Sequence, residues 1–168
     1  MRSPLNHELI ITQDHGEAPA NYPFTNGHPG LDLRSSNDDP WYSPIPGFVH
    51  IVNKYWPLYF NGFGQPGYRG YGAAVCIDHG QADGTFQRHL FGHGKNRNLG
   101  LDNKHVGEGT KLCVSGKTGT TDGGYHLHWE IRHYYNGAPY YDGTVKLRYN
   151  LIDPKNFLRD NKIPFRYK

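Results

Sequence analysis

Two histidines one residue apart, His126 and His128, stand in the segment YHLHWEIR at 125–132. Imidazoles exchange protons near neutrality and ligate divalent metals. If the segment is a strand, residues i and i+2 share a face, ~7 Å apart at a rise of ~3.4 Å per residue. His126 and His128 then project to one side, and Leu127 and Trp129 to the other. Glu130 follows on the histidine side and reads as an exposed strand glutamate, with a role in orienting a neighbour as the sharper alternative. A second pair, His28 and Asp32, lies in GHPGLDL at 27–33. A spacing of four would share a helix face, but Pro29 and Gly30 between them predict a turn entering a strand. Asp32 would sit between Leu31 and Leu33, where a carboxylate is costly unless paired or metal-bound. His89 closes a third segment, TFQRHL.

The elements that would hold these groups are mostly strands. The chain has 168 residues, which sets an expectation of one domain, and carries 22 glycines and 12 prolines. That content argues against a helical bundle and for short strands joined by many turns. Strands are expected at 9–12, within 41–52, at 71–78 and 85–90 as a hairpin, at 111–116 and at 125–132. Asp153 and Pro154 predict the start of a short C-terminal helix over 152–158. The expected fold is mainly β: an antiparallel sheet with long loops framing a groove and one short C-terminal helix. The aromatic, glycine-rich stretch 53–70 reads as a groove wall or as an ordinary packed loop.

In order and spacing, HPGLDL (28–33), AVCIDHG (74–80), FQRHL (86–90), VGEGTKLCVSGKTG (106–119) and HLHWEI (126–131) resemble the LytM/lysostaphin-type zinc metallopeptidases. IDPKNFL near the end resembles the closing segment of such domains, so the resemblance runs from about Ile10 to Leu158 within a single domain of residues 1–168. It implies that His28, Asp32 and His128 hold one zinc ion. It also implies that His126 and His89 are the catalytic histidines beside it. One departure is Gln87, where the family often has tyrosine two residues before the strand-end histidine. Tyr22 corresponds to a tyrosine that some members place near the reacting carbonyl. The chemistry is consistent on its own terms. Two neutral imidazoles and one carboxylate leave a catalytic zinc a net charge of +1 and an open fourth position. The histidines alongside serve as base and acid.

The substrate the resemblance implies is the peptide cross-links of bacterial peptidoglycan, cut by an endopeptidase at the cell wall. A non-catalytic wall-binding or amidase-activating domain, and a zinc carboxypeptidase trimming stem peptides, are the alternatives. The net charge of +3 is too weak and dispersed for nucleic acid. No apolar run approaches the ~20 residues of a membrane helix. No signal-peptide apolar region is visible, which leaves phage-type release, prior processing or retention inside the cell as the alternatives, and the chain is expected to be a monomer. Cys76 and Cys113 read equally as a disulfide or as buried thiols. His79 reads as structural, and His7, His15, His50, His93, His105 and His133 as surface or loop residues.

Overall fold

The computed structural model describes residues 1–18, 27–52, 69–119, 124–134 and 149–168. Tyr22 and nearly all of the stretch 53–70 lie outside the described residues. Strands run at β1 (Leu9–Gln13), β2 (Leu31–Arg34), β3 (Pro40–Tyr42), β4 (Gly47–Val52), β5 (Ala73–Gly80) and β6 (Phe86–Lys95). They continue at β7 (His105–Val106), β8 (Lys111–Ser115), β9 (His126–Tyr134), β10 (Tyr149–Ile152) and β11 (Phe165–Tyr167), with the helix α1 (Pro154–Asp160) before the last. The fold is mainly β, as the composition required.

The strands form one sheet in the order β11-β1-β2-β9-β6-β5-β4-β7, with β10 beside β9 and β3 and β8 joined to it through β6. The described pairs are antiparallel except β1 with β11, which run parallel at Leu9–Phe165 and Ile11–Tyr167. The sheet is therefore mixed rather than wholly antiparallel. The cause is α1, which turns the chain so that its last strand arrives beside the first. Asp153 caps that helix, its carboxylate accepting from the Lys155 N–H at 2.9 Å, and Pro154 follows at the first helical position, where no N–H is needed.

The period-2 alternation of β9 decides which face holds what. Leu127, Trp129 and Ile131 point to the main apolar core, where they meet Leu31 and Leu33 of β2 and Phe91 of β6. The other face carries His128, Glu130 and Arg132, flanked across the register by Asp32, Leu90 and Arg88. β9 is thus the central ruler of the sheet, apolar on one side and ionisable on the other. The hairpin of β5 and β6 lies next to it, in register from Gly80–Phe86 to Val75–Phe91.

That register breaks once. Val75 pairs with Phe91 but Ala73 pairs with Gly94, so β6 carries one extra residue between them. This is a β-bulge, and His93 within it has φ +66°. Gly92 and Gly94 flank it because larger residues would not fit. A Cβ on Gly94 would come 2.5 Å from the Cys113 sulfur, and one on Gly92 would press on the Tyr71 ring at 3.2 Å. The bulge reverses the side to which His93 points.

Candidate metal centre

Three side chains from two adjacent strands and the turn before them converge on the ionisable face. Asp32 of β2 lies directly opposite His128 of β9, so register alone brings them together. His28 arrives from the turn that enters β2. A strap from residues 14–17 secures it, with backbone hydrogen bonds Gly16 N–H to His28 O at 2.9 Å and His28 N–H to Glu17 O at 2.8 Å. His28 Nε2 lies 3.1 Å from His128 Nδ1 and 3.2 Å from Asp32 Oδ1, and His128 Nδ1 lies 2.9 Å from the same oxygen. The three donors form a nearly equilateral triangle. Bonds of ~2.0–2.1 Å in a tetrahedral zinc site place neighbouring donors ~3.3 Å apart, so the donor set fits that ion. Among the described residues, these three form the group of histidine, cysteine and carboxylate donors close enough to share a metal.

Hydrogen bonds at the rear of each ring set its orientation. His28 Nδ1 donates to the Asp14 carbonyl at 3.2 Å, which turns Nε2 toward the triangle. His128 Nε2 donates to Glu130 Oε1 at 3.1 Å, which leaves Nδ1 facing it. This is the arrangement of carboxylate, imidazole and metal in which the outer partner fixes the ligand. Burial works against the charge of Asp32, but hydrogen bonds from His128 and His28 outweigh it and hold the carboxyl well below its usual range. Burial likewise opposes a proton on His128, yet its hydrogen bonds to Asp32 and Glu130 raise its pKa to about 9.

Two more imidazoles stand beside the triangle. His126 Nε2 lies 3.7 Å from Asp32 Oδ2, and its Nδ1 donates to the Gly124 carbonyl at 2.9 Å. The second is His93, not His89. The His93 ring centroid is 4.8 Å from that of His126 and 5.8 Å from that of His128. Its Nδ1 donates to the Thr118 carbonyl at 2.8 Å, so Nε2 keeps the lone pair. Burial, aided by the neighbouring His128, lowers the His93 pKa to about 4, which keeps the ring neutral.

His89 is on the far side of the sheet, which overturns the expectation that it flanks the metal. It is fully buried among the core residues, its ring 5.7 Å from Trp129 and 5.1 Å from Phe157 of α1. Strict alternation would put His89, Phe91 and His93 on one face. The first two obey it, and the bulge turns the third away. The legible signal was Gly-His-Gly at 92–94, since glycines inside a strand mark a bulge.

Burial pushes the His89 pKa down to about 3, and neither ring nitrogen has a hydrogen-bond partner among the described residues. The unfolded ring binds its proton near 6.5, so the folded form excludes a proton that the unfolded form accepts. Stability from this group is therefore full above pH 6.5 and is lost as pH falls toward 3, by about 1.4 kcal/mol per pH unit. Urea midpoints measured between pH 7 and 4 should fall steeply for the native sequence and less steeply for His89→Leu. Equal slopes would show that His89 does not report the acid sensitivity.

Glu130 is also not the exposed residue that was expected. It is fully buried, and it accepts from Arg132 Nε at 2.7 Å and from the Tyr71 hydroxyl as well as from His128. Burial opposes its ionisation, but Arg132, His128 and Tyr71 together hold its pKa far below the usual value. His50 is likewise not loose on the surface, its Nε2 lying 3.1 Å from Asp78, which Arg88 grips with two hydrogen bonds of 2.6 and 2.7 Å. His79 Nδ1 donates to the Pro46 carbonyl at 2.9 Å, a structural contact. Cys76 and Cys113 are free and buried, and burial pushes both thiols up to about 12.

The fold has solved counterparts. The catalytic domain of a variant of the prophage-encoded M23 protein EnpA from Enterococcus faecalis superposes with a TM-score of 0.57 at 20% identity, covering 92% of both chains. The antimicrobial peptidase lysostaphin from Staphylococcus simulans gives 0.59 at 19% identity, covering 95% of this chain and 55% of its own. The LytM protein of Ruminococcus gnavus gives 0.60 at 19%, covering 97% and 61%. The chain thus spans between half and two thirds of the length of the last two. No curated protein sequence matches it. The sequence model of peptidase family M23 matches residues 26–141, a segment that holds His28, Asp32, His93, His126 and His128, and the chain belongs to that family.

Proposed function

We propose that the protein is a zinc-dependent endopeptidase that hydrolyses peptide cross-links of bacterial peptidoglycan and acts at the cell wall. The observation that carries this reading is the triangle of His28 Nε2, Asp32 Oδ1 and His128 Nδ1, in which the outer nitrogen of each imidazole is held by its own acceptor so that the inner one faces the site. These three residues would hold the ion. A zinc ion bound there supplies an acidified water and polarises a carbonyl oxygen.

The rest of the work falls to the chain's own side chains. Glu130 accepts a hydrogen bond from His128 Nε2–H and so keeps Nδ1 turned toward the site. His93 and His126 each present Nε2 as a proton acceptor, because each Nδ1 proton is committed to a backbone carbonyl. One takes a proton from the attacking water, and an imidazolium so formed returns it to the leaving amine. Neither Cys76 nor Cys113 is accessible as a nucleophile, so no covalent intermediate is expected. The substrate class rests on family membership and on the likeness to lysostaphin, a peptidase by its description.

Purified protein should contain about one zinc and release new amino groups from isolated sacculi. Chelation should stop the release and added zinc restore it. A protein that binds sacculi but releases nothing with zinc in place would support the wall-binding alternative. Loss of a terminal residue with cross-links intact would support the carboxypeptidase. His93→Ala and His126→Ala should each keep the metal and lose at least about 100-fold in rate. His89→Leu should stay within about threefold of the native rate, since a core residue away from the reacting atoms does not enter the chemistry. A loss with His89→Leu as large as that with His93→Ala would reverse this assignment.

A further inference from the structure

The loop at 116–119, Gly-Lys-Thr-Gly, has no part in the donor triangle, yet its Thr118 makes three hydrogen bonds to two strands, β5 and β6. Thr118 Oγ1 donates to the Gly94 carbonyl at 2.8 Å and accepts from the Ala73 N–H at 2.8 Å. Ala73 and Gly94 are register partners at the point where the bulge interrupts the β5–β6 ladder. The hydroxyl thus bridges the gap the extra residue opens, with one hydrogen bond to each strand. The carbonyl of the same residue accepts the His93 Nδ1 proton at 2.8 Å.

Backbone packing fixes the loop's approach. A Cβ on Gly72 would come 2.3 Å from the Thr118 carbonyl carbon, and one on Gly119 would come 2.4 Å from the Gly70 oxygen. Both glycines have positive φ, of +59° and +83°. The loop therefore lies against residues 70–73 with no room for side chains, and the hydroxyl of Thr118 is the tie that sets its height over the bulge. His93 itself stands at φ +66°, a conformation uncommon for a residue with a side chain. Such a conformation persists where its surroundings dictate it.

We propose that Thr118 is a positioning residue: its hydroxyl stitches the β6 bulge, and its carbonyl thereby holds His93 in the Nδ1–H tautomer with Nε2 aimed at the reacting water. The proposal rests on the reading of His93 as a proton-transfer group. It concerns no metal ligand, so its failure shows in the His93 ring rather than in metal binding.

Thr118→Val keeps the shape and removes both hydroxyl hydrogen bonds. In the zinc-loaded protein it should lower kcat by about tenfold to 100-fold, with KM within about twofold and zinc content unchanged. Thr118→Ser, which keeps the hydroxyl, should recover to within about threefold of the native kcat. The second readout is the ring ¹⁵N spectrum of His93 in the metal-free protein. The native sequence and Thr118→Ser should show one Nδ1–H tautomer, and Thr118→Val a mixture. A single unchanged tautomer in Thr118→Val, or loss of zinc together with activity, would overturn the proposal. Should Thr118→Val not fold, Thr118→Ser decides alone, since a mixed tautomer with the hydroxyl present refutes the clamp. His93→Ala separates the two claims. If it retains the native rate, the reading of His93 is wrong, while the ¹⁵N spectra still decide whether Thr118 sets the ring.

Discussion

Asp32→Ala should yield folded protein with zinc content near zero and hydrolysis of sacculi reduced by at least about 1,000-fold, as metal analysis and amine release would show. The size of the effect follows from geometry. Asp32 Oδ1 is within 3.2 Å of both imidazole donors, so its removal takes one of the three proposed ligands and the only anionic one. It also removes what holds His128 Nδ1 in place. Two neutral imidazoles alone bind zinc far more weakly than a complete catalytic set. Stability of the metal-free protein at neutral pH should fall, because the hydrogen bonds that hold the Asp32 carboxyl below its usual range are lost. His28→Ala should behave alike. Full zinc content with activity lost would instead make Asp32 a catalytic group beside a metal bound elsewhere.

Glu130→Gln should act on two properties at once. Glutamine keeps an acceptor oxygen for His128 but loses the charge that faces Arg132, itself 5% exposed. Removing one partner of a buried ion pair costs about 3–5 kcal/mol, because the other charge stays buried. Loss of an outer carboxylate from a metal-binding imidazole weakens metal affinity by about 10–100-fold. Urea denaturation and competition with a zinc chelator should therefore both shift, whereas a change on a solvated strand face would move neither. A variant with native zinc affinity would show that the Tyr71 and Arg132 contacts to Glu130 serve packing alone.

Short-period patterns in the sequence were reliable because they depend on neighbours in the chain. The placement of His126 and His128 opposite Leu127 and Trp129 needs only the strand period, and the cap at Asp153 needs only the next two residues. The pairing of Asp32 with His128 was legible through the order of motifs, which the register then explains. Two site residues were not legible in this way. Glu130 was read as exposed because its burial depends on Tyr71, which reaches it from before β5. His93 was read as a loop residue because the polar, glycine-bearing run after Phe91 hides the continuation of β6 to Lys95, where one inserted residue turns the ring to the other face. The resemblance, matching FQRHL to the strand-end histidine, assigned the nearby His89 instead, a residue that the register places on the core side of β6.

The parallel pairing of β1 with β11 has a consequence for synthesis. Leu9 and Ile11 leave the ribosome long before their outer neighbours at Phe165 and Tyr167. Until then the nascent chain exposes an unpaired edge beside the strand that carries Asp32. Interactions of such wide sequence separation form slowly. Ribosome stalling or a stop codon ahead of Phe165 would thus leave an aggregation-prone intermediate rather than a shorter folded protein.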